Sequence, residues 1–201
     1  MKIRNAHLVT ALILPFAFLV STCLNAYATT LHVPEDYTTI QSAIVAAVNG
    51  DEVLVNDGTY NEAINFLGKA ITVRSVNGAE ATIIDGGDSS HSPRIVTFNS
   101  GEGSQSIFDG FTVLGGHSGP AQKLIHCDLG SSPVIRNNKF VDSYAFAIYC
   151  DNSSNPLIEN NEIIPLFYLD RDYPNRLKHC DDAPVMLFCK GTVDLNCSKI
   201  L

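Results

Sequence analysis

Short apolar strand cores between turn signals, an internal repeat of 23 residues and one amphipathic helix predict an all-β chain. The predicted form is a right-handed parallel β-helix, a short solenoid of about four or five coils, with an N-terminal capping α-helix. The repeat decides the architecture. Lys123-Leu124-Ile125-His126-Cys127-Asp128 lies over Phe146-Ala147-Ile148-Tyr149-Cys150-Asp151 at a shift of 23. The same shift carries Pro133-Val134-Ile135-Arg136-Asn137-Asn138-Lys139-Phe140 onto Pro156-Leu157-Ile158-Glu159-Asn160-Asn161-Glu162-Ile163. Ile107 to Val113 reads as a degenerate copy 27 residues upstream. A propeller blade needs about 40–45 residues and leucine-rich repeats carry their own leucine pattern, so neither fits.

Each element follows in chain order. Lys2 and Arg4, the uncharged run Leu8 to Val20 and Ala26-Tyr27-Ala28 read as a secretory signal peptide over residues 1–28. The run falls short of the roughly 20 residues that span a bilayer, and no later stretch reaches that length, so no transmembrane segment is expected in the mature chain. Ile40, Ala43, Ile44, Ala47 and Val48 form an apolar face at helical period over 39–48. Thr38-x-x-Gln41 reads as its capping box and Asn49-Gly50 as its stop. This helix is expected to plug the open end of the solenoid.

Strand cores follow at Val53-Leu54-Val55, Ala63 to Phe66, Ile71-Thr72-Val73, Thr82-Ile83-Ile84, Ile95 to Phe98 and Phe111-Thr112-Val113. Asn137 and Asn138 should stack on Asn160 and Asn161 as amide ladders at a tight bend, and Cys127 on Cys150 inside. The β-helix is expected over 29–164. Residues 165–201 show no strand alternation and read as an irregular Cys-containing C-terminal segment, either a cap or a truncated end.

Composition narrows the function. Thirteen Lys and Arg stand against 21 Asp and Glu, a net charge of −8, and loss of Lys2 and Arg4 leaves the remainder more acidic. Such a surface repels phosphate backbones, which argues against nucleic acid, and repels acidic polysaccharide unless a divalent cation intervenes. Five cysteines remain beyond the signal, an odd number, so at least one stays unpaired within the chain or pairs elsewhere.

Tyr37 to Ile44, then Asn49-Gly50-Asp51-Glu52-Val53-Leu54-Val55 and Gly58-Thr59-Tyr60-x-Glu62, resemble the opening of the pectin-lyase-like superfamily. The repeat Ala147 to Asn161 resembles those of its secreted right-handed β-helix repeat proteins. The resemblance covers about residues 31–164 and implies fold more than chemistry. Gly58-x-Tyr60-x-Glu62 is also similar to a pectin methylesterase motif, but that family's two Asp-bearing stretches are absent. Arg171 to Arg176 is similar to the Arg-x-Pro-x-x-Arg signature of pectate lyases, with the proline one place off.

Asp128 and Asp151 are equivalent repeat positions, so the fold should bring them onto neighbouring coils. There they can split their pKa values for acid–base work, share a Ca²⁺, or simply open turns. His126 and Tyr149 are equivalent as well, and alternation with inward cysteines points them outward, where rings can stack on sugars. The ligand-binding set is thus His126, Asp128, Tyr149 and Asp151, with Asp128 and Asp151 as the metal pair and Ca²⁺ as the ion. Asp85, Asp88 and His91, and Asp109 and His117, lie in Gly-rich turns that account for them. Ser104, Ser118 and Ser131 lack a nucleophile elbow, and Glu62 is read as a stabiliser of the first coil.

The expected role is a secreted, periplasmic or cell-surface module that interacts with polysaccharide without strong catalytic activity. No catalytic residue is assigned. The alternatives are a polyuronide-active lyase or esterase, and a structural or adhesive surface solenoid.

Overall fold

The computed structural model describes residues 27–87, 94–115, 123–143, 146–151, 153–165, 187–189, 194–196 and 199–200. The signal peptide expected over 1–28 lies outside these residues but for its last two. Asp88, His91, His117, Ser118 and the Arg171–Arg176 segment also lie outside.

The chain begins with β1 (Thr30–Val33) and α1 (Ile40–Ala46). A first rung follows, of β2 (Glu52–Val55), β3 (Gly58–Tyr60) and β4 (Ile64–Asn65), and a second of β5 (Thr72–Ser75), β6 (Thr82–Asp85) and β7 (Arg94–Phe98). The third contains β8 (Ile107–Asp109), β9 (Thr112–Leu114) and β10 (Lys123–Cys127), and the fourth β11 (Val134–Arg136), β12 (Lys139–Ser143) and β13 (Phe146–Cys150). The fifth has β14 (Leu157–Glu159), β15 (Glu162–Pro165) and β16 (Leu187–Cys189). β17 (Asp194–Asn196) and β18 (Lys199–Ile200) begin a sixth.

Each of the first five rungs gives one strand to each of three sheets, and every strand pairing among the described residues is parallel. Sheet A runs β1-β2-β5-β8-β11-β14-β17, sheet B β3-β6-β9-β12-β15-β18 and sheet C β4-β7-β10-β13-β16. This cycling is consistent with the expected parallel β-helix. β16 to β18 extend all three sheets into 165–201, where irregular structure was expected; their short runs carry no alternation that a sequence pattern could detect.

The register stacks apolar side chains in columns. Val53, Val73, Phe108, Ile135 and Ile158 succeed one another in sheet A, and Ile64, Val96, Ile125 and Ile148 in sheet C. All are buried, and each such side chain contributes roughly 1.5–3 kcal/mol on leaving water. One rung cannot enclose its own inward face, so the stack supplies the core. Phe66 and Phe98 touch with centroids 4.3 Å apart, above the buried pair Cys127 and Cys150.

The polar bend between sheets A and B repeats too. Gly110, Asn137 and Asn160 follow the register partners Asp109, Arg136 and Glu159, and all three take positive φ, at +82°, +56° and +54°. Asn tolerates this left-handed region better than most residues, which explains the first Asn of each pair. The second Asn builds the expected ladder. Asn138 Nδ2 donates to Phe108 O at 3.1 Å and Asn161 Nδ2 to Ile135 O at 2.8 Å. Asn161 Oδ1 accepts from Asn138 N and Nδ2.

Helix α1 is capped one residue later than the sequence suggests. Thr39 is the N-cap, its hydroxyl accepting from Ser42 N at 3.1 Å, and Ser42 Oγ completes the box by accepting from Thr39 N at 3.3 Å. Ile40, Ala43, Ile44 and Ala47 are buried as expected, whereas Val48 lies past the helix and is exposed. Gln41 instead docks the helix on the first rung, exchanging hydrogen bonds with the Asn65 backbone.

Candidate functional site

Most charged residues serve the fold. Glu62, in the β3–β4 connection, accepts the Ile40 and Gln41 N–H groups at 2.9 Å each, satisfying donors that the first helical turn leaves open. Lys69, in the next connection, donates to the Ile44, Val45 and Ala47 carbonyls at 2.7 Å each, at the other helix end. The two therefore clip α1 to the first rung from both ends. Asp85 accepts from Gly87 N, a turn bond, and buried Asp109 is held by Arg136 and Asn137.

Sequence reasoning missed Glu102. It is only 1 % exposed, and its carboxylate accepts from Gly68 N, Ser100 N and the Ser131 hydroxyl at 2.8–2.9 Å. Gly68, Ser100 and Ser131 lie in three successive connections from sheet C to sheet A, so one side chain joins three rungs. Its one sequence signal is a lone acid between Gly101 and Gly103. Ser131 is thereby explained as a buried structural hydroxyl.

A further group of titratable residues lies along sheet C. Arg94 and Lys123 are register partners, as are Thr97, His126 and Tyr149 in turn. Lys123 Nζ sits 3.7 Å from the Tyr149 ring centroid, and the His126 ring stacks on Tyr149 at 5.7 Å and 18°. The expected neighbourhood of His126 and Tyr149 is thus present. The expected exposure of His126 is not: its side chain is 3 % exposed. Alternation assigns the face of a strand but not what covers that face. Leu124, on the same face of β10, is also buried, as are Ile95 and Ala147 beside it. Tyr149 is half-buried, its ring engaged by Lys123, His126 and the edge-on Phe146.

The electrostatics follow from this packing. Burial, reinforced by Arg94 and Lys123 and opposed by Asp128 and Asp151, lowers the His126 pKa to about 4, so the imidazole is neutral at neutral pH. Its Nδ1 has no hydrogen-bond partner among the described residues. Burial, with Arg94 beside it, also lowers the Lys123 ammonium below its usual value.

Asp128 and Asp151 stand one rung apart. Their N–H groups donate to Phe98 O and Cys127 O at 2.8 Å, and their carbonyls accept from Ser131 N and Ser154 N. Each thus opens an equivalent four-residue turn, with positive φ at Leu129 and Gly130 in one and at Ser153 in the other. Asp128 Oδ1 also accepts from Leu129 N at 2.7 Å. The turn role is real, and it sets two half-buried carboxylates at one rung position. Two carboxylates offer at most four of the roughly six to eight oxygens that calcium takes. Among the described residues no group of three His, Cys, Asp or Glu forms a fuller set.

No family model, curated protein or solved structure matches the chain.

Proposed function

We propose that the chain is a secreted right-handed parallel β-helix of the pectin-lyase-like superfamily that interacts with extracellular or cell-surface polysaccharide, without strong catalytic activity. The observation that carries this reading is the pairing of Asp128 and Asp151 at one position on adjacent rungs, near Lys123 and Tyr149. Polysaccharides are periodic ligands, and a stack of parallel rungs presents periodic groups to them.

The burial of His126 removes it as a ring for sugar stacking, and Tyr149 carries Lys123 and His126 on its ring. Contact therefore falls to the two carboxylates and to the Lys123 ammonium beside them. In this reading Asp128 and Asp151 hold part of a calcium shell, and carboxylates of an acidic glycan and water complete it. The ion also offsets repulsion between this acidic chain and a polyuronide.

The test is affinity electrophoresis of the folded chain through gels containing polygalacturonate or neutral glycans, with calcium or with chelator. Retardation by polygalacturonate only with calcium is expected, and Asp128→Asn with Asp151→Asn should abolish it. Unretarded migration of folded protein in every gel sinks the reading.

A further inference from the structure

The outward side chains of sheet A fall into two rows along the stack, because Val73, Phe108, Ile135 and Ile158 between them point into the core. One row reads Thr72, Ile107, Val134 and Leu157 from the second rung to the fifth. The other reads Arg74, Asp109, Arg136 and Glu159 over the same rungs. This second row alternates in sign, with charges about 4.8 Å apart, one per rung.

Bonds within the chain use the row only in part. Arg74 Nε donates to Glu52 and Arg136 Nε to Asp109, each at 2.9 Å, which leaves the terminal N–H groups of both guanidinium groups. Asp109 is buried and held by Arg136 and Asn137. Arg74 and Glu159 stand at the two ends of the row, both half-buried, and Glu159 has no ion-pair partner among the described residues.

The order of the charges is what matters. Turned end for end, plus–minus–plus–minus becomes minus–plus–minus–plus, so the row is complementary to itself. A two-fold axis along the strands, between the third and fourth rungs, lays a second copy on sheet A with its stack reversed. Arg74 then faces Glu159 of that copy and Asp109 faces Arg136, while in the other row Ile107 faces Val134. Laid the same way round, the row meets like charges or the uncharged row; shifted by one rung, it meets like charges. Sheet C offers no such row, since its register partners Arg94 and Lys123 share a sign.

We propose that the outward face of sheet A is the contact surface for a second copy of this chain, in a closed dimer of antiparallel stacks. Charge complementarity chooses the partner. The chain is acidic overall, at net −8, so two copies repel except where charge alternates in this way. The face is small: seven strands of three or four residues cover roughly 300 Å² per copy, against about 800 Å² in stable interfaces. The dimer is therefore weak, and register rather than area sets its geometry. Sheet C takes no part in the contact, so the pair carries the Asp128 and Asp151 positions twice.

The experiment is sedimentation velocity on the folded chain at rising concentration, without glycan or calcium, for wild type, Arg74→Glu and Glu159→Arg. Wild type should pass from monomer to dimer and no further. Each variant sets like charges against each other at both ends of the row and should dimerise at least about tenfold more weakly, with wild-type circular dichroism. An equimolar mixture of the two variants should dimerise again, because the two reversed positions then face each other and the two native ones do likewise. A wild type that stays monomeric, or that assembles beyond a dimer, overturns the proposal. So does a dimer that either folded variant leaves as strong, or a mixture that associates no more tightly than its parts. No glycan enters, so these outcomes stand apart from the polysaccharide reading.

Discussion

The capped N-terminal end and the sheet C cluster use charge in opposite ways. Around α1 each charge meets backbone: Glu62 takes two N–H groups and Lys69 gives to three carbonyls. Around β10 and β13 the charges meet rings and one another: Lys123 lies on Tyr149, and His126 is buried under the influence of Arg94 and Lys123. The first arrangement closes open hydrogen-bonding groups and stabilises the fold. The second leaves the buried His126 Nδ1 without a partner among the described residues, which stabilises little. That difference is why the cluster, and not the cap, is the candidate for ligand contact.

Glu102→Ala tests the backbone-binding side most severely. It strands the Gly68 and Ser100 N–H groups and the Ser131 hydroxyl inside the stack, so a loss of about 3–5 kcal/mol is expected in urea denaturation. A loss below about 1 kcal/mol would place Glu102 with the surface charges.

The pH dependence of His126 comes next. Its folded pKa lies near 4, below the unfolded 6.5, so the folded chain binds fewer protons between those values. This contribution to stability is complete above pH 6.5, falls as pH drops toward 4 and is flat below. It amounts to at most roughly 3 kcal/mol. His126→Phe should remove that part of the slope between pH 6.5 and 4, and an unchanged slope would contradict the burial.

Lys69→Met leaves three helix carbonyls without their donor and should cost about 1–3 kcal/mol, read as an earlier thermal transition with the sheets intact. Arg74→Ala is the small effect that calibrates the rest. Its bridge to Glu52 spans 2.9 Å between half-exposed side chains, and a loss under about 1 kcal/mol is expected in the same denaturation assay.

Much of the stack was readable because its repeat is written in residues. The overlay of Lys123–Asp128 on Phe146–Asp151 matches the observed register pair by pair, as does that of Asn138 on Asn161. Other features had no periodic trace. β3 is only the three residues Gly58-Thr59-Tyr60, too short to show alternation, and β1 is a four-residue edge. The helix cap slipped by one because Thr38 and Thr39 both suit an N-cap, and the partner Ser42 is not the Glu or Gln that a capping box usually shows. His126 was misjudged because a two-residue period names a face without saying whether water reaches it. Leu124, two positions earlier on that face, was the available warning.

The single carboxylate of Glu102 has a mechanical consequence. In a linear array whose units touch only their neighbours, melting can peel inward from an end one unit at a time. A clamp that spans three units resists the peeling, because the connections of Gly68, Ser100 and Ser131 are all tied to one carboxylate. Hydrogen exchange should accordingly show a step in protection at these connections. Rungs beyond the clamp should open at lower free energy than the block it holds together.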